Sequence, residues 1–508
     1  MRKIYFVAAL FTCALFSQIS YSQSVELTEI SKKEFKGVHP IINNTTNEVK
    51  GYYCYYVRER QGKETEFVVA LFNKSLELIK QTPIVMTKRS AVDGSCFNGS
   101  EFLFVFNDPV KKALSYVSMD TSGNIIKTKG VTEAKSYTAT ADVFPGQEGF
   151  FIVKPIKEKK VGYSVEKLDR NLTTIWEKRY TVETGIATAE NVLSQNGRVM
   201  IVQMYRPKLI SNKVNMKLIC LDDKNGNDVF VSNLGNGEST LIPTSCLVDK
   251  DQNIVAGGMY FDGEKYTETS SDGIFLMKFD KTGKEVFVTK DDWNDGLKKA
   301  IAKNTKSTVA LGTKPRVYFH SITETEKGYQ IISETFRLNY QLISSGLKDL
   351  ISGRWIGSMG GDDNKPITFE VLDFLVFNYS ADGKMGEFNI IEKEHTKISC
   401  YYPYNRMAGL RLAHAVKSFG YFDYAFTTKM PGSMGDYLIS CHYSKNPNFG
   451  ITSIEPGNTS TTKHVPIEKR TIKDGSVGVL KNVPGKIVVY IYNRKEENLI
   501  LYTLDVTP

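Results

Sequence analysis

The fragment FLMKFDKTGKEVFV, residues 275–288, consists of an apolar run, an Asp, a short polar stretch containing a Gly, and a second apolar run. Apolar runs bounded by turn residues predict paired strands. The unit recurs: VALFNKSLELI turns at Asn73, YVSMDTSGNII at Asp120, VEKLDRNLTTIW at Asp169, LICLDDKNGNDVFV at Asp222 and LVFNYSADGKMGEF at Ser380. LISCHYSKNPNFGI turns at Ser444, and LILYTLDV reaches Asp505. An Asp, Asn or Ser side chain accepts a hydrogen bond from the backbone two residues on, which fixes the turn. Gly123, Gly226, Gly283 and Gly383 supply the positive φ that a tight turn often needs. The turn residues recur roughly every 50 to 60 positions, with one interval of about 100, which is the length of a propeller blade with one large insertion.

Each unit carries an earlier and more apolar strand: YYCYYV at 52–57, FLFVF at 102–106, FFIV at 150–153, VMIVQMY at 199–205, IVAGGMYF at 254–261, YQIISETF at 329–336, YFDYAFTT at 421–428 and IVVYIY at 487–492. Several lack polar alternation, which predicts burial on both faces, as in the middle strands of packed blades. Weaker segments ahead of them, such as SCFNG at 95–99, ADVFPG at 141–146, NVLSQNG at 191–197 and CLVDKDQ at 246–252, predict innermost strands. Four strands per unit and eight units follow. The last unit ends at Asp505 without an outermost strand, and VELTEI at 25–30 lies unused ahead of the first. The pattern therefore predicts an all-β, eight-bladed β-propeller over residues 23–508, closed by the N-terminal strand, which hides two sheet edges at once. Seven blades with an accessory element, and two β-sandwich domains, are the alternatives.

The first residues, MRKIYFVAALFTCALFSQISYSQ, read as a secretory signal at 1–22: Arg2 and Lys3, an apolar stretch from Ile4 to Phe16, and small Ser20 and Ser22 before a cut at Gln23. LFTC puts Phe11 and Thr12 where a lipoprotein signal needs small residues, which argues against anchoring at Cys13. No later run has the roughly 18 apolar residues of a membrane span. The expectation is a protein of the periplasm or the cell exterior, free or peripheral to the outer membrane. The 65 basic residues exceed the 56 acidic ones without forming a stripe, and KEKK at 157–160 reads as a solvated turn, so nucleic acid is not an expected partner. Cys54, Cys96, Cys220, Cys246, Cys400 and Cys441 lack C-x-x-C spacing and mostly sit in apolar runs, where they read as small buried hydrophobes.

Departures from the repeat fall at 290–316, at 338–367 and at 393–417, all around the sixth unit. DDWNDGLKKAIAKN in the first has an Asp cap and helical apolar spacing. GSMGGDD at 357–363 is not a phosphate loop, lacking the strand-to-helix context and the Lys-Ser/Thr ending, and Asp362 and Asp363 lack the ligand ladder of a calcium loop. No metal and no cofactor is expected. Tyr401, Tyr402, Tyr404, Arg406 and Arg411, with Trp355 in the neighbouring insertion, concentrate the residue types of binding surfaces and form the candidate ligand site. The competing reading is that these rings pack the insertion onto the ring of blades. His39, His320 and His414, with Asp142, Cys96 and Cys246, fall on or near expected innermost strands. No G-x-S-x-G elbow or H-E-x-x-H helix occurs.

The LDRNLTTIW and FDKTGKEVF units resemble the turn repeats of exported bacterial β-propellers, including quinoprotein-like ones, over most of residues 25–508. The quinoprotein family's adjacent Cys pair is missing, its repeated Trp occurs only at Trp176, and the sialidase Asp-box is absent. The resemblance implies architecture and export, without an activity. The expected function is a binding or scaffold propeller of the cell envelope that recognises a glycan, a peptide or an envelope protein. A polysaccharide hydrolase or lyase with its site at the channel mouth is the alternative.

Overall fold

The computed structural model describes residues 23–28, 30, 35, 37–43, 48–108, 110–132, 141–157, 161–208, 213–264, 271–297, 316–339, 367–401, 409–418, 420–429, 435–442, 448–454, 462–466 and 475–506. Eight antiparallel sheets follow one another: blade 1 over residues 38–87, blade 2 over 91–132, blade 3 over 142–182, blade 4 over 186–233, blade 5 over 239–292, blade 6 over 316–391, blade 7 over 424–466 and blade 8 over 475–505. Blades 1 to 5 and 7 are four-stranded meanders, blade 8 has three consecutive strands, and in blade 6 Thr396–Cys400 adds a fifth strand beside the start of the third, Ile367–Ser380. The first strands of successive blades approach one another, as in blades 2 and 3, 3 and 4, or 5 and 6, and so line the axis.

Closure follows the predicted route. Ser24–Leu27 pairs antiparallel with Asn498–Asp505 as the outermost strand of blade 8, from Ser24 opposite Tyr502 to Leu27 opposite Leu499. The core is a set of wedges between neighbouring blades. Tyr53 and Val69 of blade 1 meet Phe102 and Phe104 of blade 2, for example, and Phe151 and Val165 of blade 3 meet Ile201 and Ile219 of blade 4. That two-sided packing is why the second and third strands carry unbroken apolar runs.

The recurrent turn is also a seam. In the third-to-fourth hairpin Asp280 Oδ1 accepts from the backbone N–H groups of Thr282 (2.8 Å) and Lys284 (3.0 Å), and Gly283, at φ +89°, donates its N–H to the Asp280 carbonyl. A Cβ on Gly283 would lie 2.3 Å from the ring of Phe230 in blade 4; one on Gly226 would meet Trp176 of blade 3 at 2.6 Å, and one on Gly383 would meet Phe287 of blade 5 at 2.4 Å. The turn of each of these blades thus lies on an aromatic ring of the preceding blade's outer strand. In blades 1 and 3 the same position is Leu76 (φ +63°) or Leu172 (φ +61°), and the leucine side chain fills the space against the preceding blade.

One unit is out of phase with the expectation. Residues 421–428 overlap the first strand of blade 7, Tyr424–Lys429, and the buried second strand is Asp436–His442. Ser444 therefore lies between second and third strands and outside the described residues. Apolarity alone does not order two neighbouring buried runs, and that ambiguity produced the shift. In the connection after blade 5 the described part is a single π turn, Trp293–Leu297, entered by an Asp292 cap on the Asn294 N–H (2.6 Å) and held by the buried Trp293 indole donating to Ser271 Oγ (3.0 Å). Residues 298–315 are outside the described set.

Candidate functional site

In an up-and-down meander the second-to-third and fourth-to-next-first connections leave at the same end of the blades. The departures at 293–315, 340–366 and 401–423 are all of these two kinds, so the described strand ends that flank them lie at one face of the ring, on blades 5 to 7. Between blades 6 and 7 lies a fully buried group of charged side chains that sequence reasoning missed. Lys393, just past the fourth strand of blade 6, places its ammonium 3.3 Å from Glu334 Oε1 and against Asp423 Oδ2. Asp423 stands immediately before blade 7, and its second oxygen accepts from Thr396 Oγ1 (2.8 Å). Glu334, on the second strand of blade 6, accepts from the Tyr424 backbone N–H (3.0 Å) and touches His320 Nε2 at 2.9 Å.

Burial is the largest influence on each group, and their pairing decides where it ends. Burial pushes the Glu334 carboxyl up to about 7, against the opposing field of Lys393. Burial also acts to raise Asp423, but Lys393 and His442 together hold it below the usual carboxylate range. Burial would lower Lys393, yet Asp423 and Glu334 raise it above the ordinary lysine value. His320 is kept neutral by burial and by the fields of Lys417 and Lys393. A signal for this group existed: Glu334 and Asp423 interrupt the apolar runs YQIISETF and YFDYAFTT, and a charge within a doubly buried strand needs a partner.

Asp423 continues to His442, whose Nδ1 lies 3.4 Å from Oδ2, and His442 Nε2 lies 2.8 Å from Ser440 Oγ. The order acid, imidazole, hydroxyl is that of a nucleophile relay. Ser440 is 1% exposed, however, and a Cβ on Gly450 would sit 2.3 Å from its Oγ. The Gly450 backbone fills the space a scissile carbonyl would need, so the chain of contacts positions blade 7 rather than attacking an acyl group.

Above this group the helix Gly409–Ser418 buries Leu412, Ala413 and Val416 among Leu241, Ile242, Phe336 and Phe369 of blades 5 and 6. Its end is a Schellman turn: Tyr421 N–H to Val416 C=O (3.0 Å), Gly420 N–H to Lys417 C=O (2.9 Å), and Gly420 at φ +71°. The turn delivers Phe422 and Asp423 to the buried group. On the helix, His414 Nδ1 is 3.0 Å from the Tyr318 hydroxyl, and Lys417 Nζ lies 5.0 Å above the Tyr424 ring.

Of the candidate ligand residues, Tyr401 is 57% exposed directly after the fifth strand of blade 6. Trp355, Tyr402, Tyr404 and Arg406 lie outside the described residues, as do Asp362 and Asp363. Arg411 is in the helix, and its side chain is outside the described set. Tyr421, at the other end of the same connection as Tyr401, is 46% exposed. His39 and His320 are on first strands, His39 stacked on Tyr53 at 5.0 Å between ring centres, whereas His414 is on the helix. Asp142 also lies on a first strand, and burial, then the charge of Asp93, raises its carboxyl above the ordinary value. None of the six cysteines among the described residues forms a disulfide, and five of them are buried. Among the described residues no group of three or more His, Cys, Asp or Glu could hold a metal ion, and no helix is long and apolar enough to cross a membrane.

Fold and site together define an eight-bladed β-propeller with an elaborated face held by buried charge. Residues 1–503 match a family described as "Family of unknown function (DUF6770)", and the chain belongs to that family. No curated protein matches it. Among solved structures it is similar to a europium-containing methanol dehydrogenase (9% identity, 95% of this chain and 93% of that one, TM-score 0.36). It is likewise similar to a prolyl endopeptidase (8%, 96% and 58%, 0.39) and to polysaccharide lyase Uly1 (12%, 90% and 88%, 0.33). At these scores none of them bears on what this chain does.

Proposed function

We propose that this chain is an exported recognition propeller of the cell envelope that binds a glycan, a peptide or an envelope protein through the elaborated face over blades 5 to 7. The observation that carries the reading is that the strand ends flanking all three long departures lie at one face, with Lys393 and Asp423, on either side of the last, joined to each other and to Glu334 by buried ion pairs. The buried charge pairs fix the described ends of that connection, where Tyr401 and Tyr421 stand, and fixed ends lower the ordering cost of binding. Exposed Tyr401 and Tyr421 at its two ends offer the flat, amphipathic contacts that such surfaces use. The carboxylates of Glu334 and Asp423 bracket Lys393 and are fully buried, so they do not act as a glycosidase pair.

The test uses immobilised mature chain, residues 23–508, in envelope extract, alongside a Tyr401→Ala/Tyr421→Ala variant of matched thermal stability. The expected result is a captured species that the variant retains at least tenfold less well. Capture indifferent to both tyrosines, or conversion of the captured species to products, would overturn the reading.

A further inference from the structure

We propose that Lys393 and Asp423 condense to an intramolecular amide, a covalent cross-link between the end of blade 6 and the start of blade 7, with Glu334 as the catalytic carboxyl. The buried ion pair is the reactant of this step. The amide closes residues 393–423 into a loop at the base of the elaborated connection, whatever that face binds.

The reacting groups are already in place. The Lys393 ammonium lies against Asp423 Oδ2, 3.3 Å from Glu334 Oε1 and 5.2 Å from the centre of the Phe374 ring, and none of the three ionisable side chains is more than 2% exposed. Asp423 Oδ1 accepts from Thr396 Oγ1 (2.8 Å), a donor placed on the oxygen that gains charge under attack and becomes the amide oxygen. Burial is the largest influence on both partners and drives each toward its uncharged form. Asp423 and Glu334 hold Lys393 charged, and Lys393 and His442 hold Asp423 charged. Condensation takes both charges out of the interior, where they are costly. Well-oriented groups held in contact react with effective concentrations of roughly 10⁵–10⁸ M.

The step balances without a co-reactant. One proton crosses the Lys393–Asp423 contact to Oδ2, leaving a neutral amine beside a carboxylic acid. The nitrogen lone pair forms the bond to Cγ while the carbonyl π pair moves onto Oδ1. Glu334 takes a second proton from the nitrogen and passes it to Oδ2, which leaves with the Cγ–Oδ2 bond pair as water. The carbonyl re-forms, the third proton stays on the amide nitrogen, and Glu334 returns to its starting state.

A second buried pair of the same type shows what Glu334 adds. Lys167 contacts Asp223 Oδ2 at 2.6 Å between blades 3 and 4, with both side chains no more than 4% exposed. Its ammonium also donates to the Asp223 backbone carbonyl (2.9 Å) and meets no second carboxylate among the described residues. That pair lacks a group to carry the second proton and remains an ion pair.

The test is intact-mass spectrometry of purified residues 23–508, followed by trypsin digestion. The folded chain is expected to be lighter than its sequence by one water. MGEFNIIEKEHTK, residues 385–397, should stay uncut after Lys393 and be joined to SFGYFDYAFTTK, residues 418–429, whereas cleavage after Lys167 is normal. Sampled during cell-free synthesis, the unaltered chain should acquire the deficit with time, and Glu334→Gln, shown folded by circular dichroism, at least tenfold more slowly. Lys393→Arg and Asp423→Ala should keep the full sequence mass. Full sequence mass in the unaltered folded chain, with complete cleavage after Lys393, overturns the proposal. So does a water deficit that persists in Lys393→Arg or maps to another pair. A rate unchanged in folded Glu334→Gln overturns the assignment of Glu334 as the catalyst.

Discussion

Lys393 and Asp423 are ion-paired in the interior, joining the segment that leaves blade 6 to the residue that enters blade 7. The pair brackets the fifth strand, Thr396–Cys400, and the helix Gly409–Ser418, so it closes the base of the whole connection. Thr396 Oγ1 on the free oxygen of Asp423, with Glu334 on the other side of the ammonium, completes the satisfaction of both charges.

Removing both partners should cost less than the two single losses added together. Asp423→Asn strands the buried ammonium of Lys393, and a loss of about 3–5 kcal/mol is expected. Lys393→Met alone leaves Asp423 and Glu334 as facing carboxylates, with a loss of the same order. In the double variant the two losses should not add, and the coupling read from denaturant unfolding should reach about 1 kcal/mol or more. Additive losses would show that the pair is not an energetic unit.

Glu334 makes the stability of this region depend on pH. Its folded value of about 7 lies above the ordinary 4.5, so between these values the folded chain holds more protons than the unfolded one. Stability contributed by this group therefore falls as pH rises from about 4.5 to 7. Asp423 is shifted the opposite way, and its contribution is present above the ordinary 3.8 and lost as pH falls through its lower folded value. Glu334→Gln should flatten the melting temperature between pH 5 and pH 7 and leave the acid limb. A slope unchanged by the substitution would assign it to another group.

Gly283 is required twice, by its φ of +89° and by the Phe230 ring 2.3 Å from where a Cβ would stand. Ala in the left-handed region costs about 1–2 kcal/mol, and displacing a packed ring adds about 1–3 kcal/mol. Gly283→Ala should lose about 2–5 kcal/mol, and Phe230→Leu in the same chain should recover part of it. If Phe230→Leu recovers nothing, the seam between blades 4 and 5 is not where the cost arises.

How legible each feature was follows from how local its cause is. The turn at Asp280 and Gly283 is written within five residues, so its repetition revealed the blade, the count of eight and the missing last strand. Leu76 and Leu172 occupy the same left-handed position without any local sign, because the preceding blade supplies the reason. Glu334 and Asp423 could have been flagged as charges inside apolar runs. Their pairing through Lys393 could not, since it joins three segments that only the ring brings together. The helix that carries His414 and Lys417 was visible only as a departure from the repeat.

The closure of the ring is the relationship most exposed to a single experiment. Ser24–Leu27 pairs along Asn498–Asp505, with the Ile30 N–H on the Glu497 carbonyl (2.9 Å) and Asn498 Nδ2 on Glu26 Oε1 (2.6 Å). Leu27 and Ile30 are buried with Leu76, Val488, Leu499 and Leu501, where blade 8 meets blade 1. Deleting residues 23–34 should leave the Asn498–Asp505 strand as an unpaired edge and open that core, giving a marked fall in melting temperature and concentration-dependent light scattering. Leu27→Ala tests the apolar part by itself, with about 2–5 kcal/mol expected for a buried leucine. Ile125→Ala, at an exposed position on the outer strand of blade 2, is the control and should stay within about 0.5 kcal/mol. If the truncated chain melts with the full one and scatters no more light, the N-terminal strand is an ornament on blade 8. The ring would then be held by the first strands and inter-blade wedges alone.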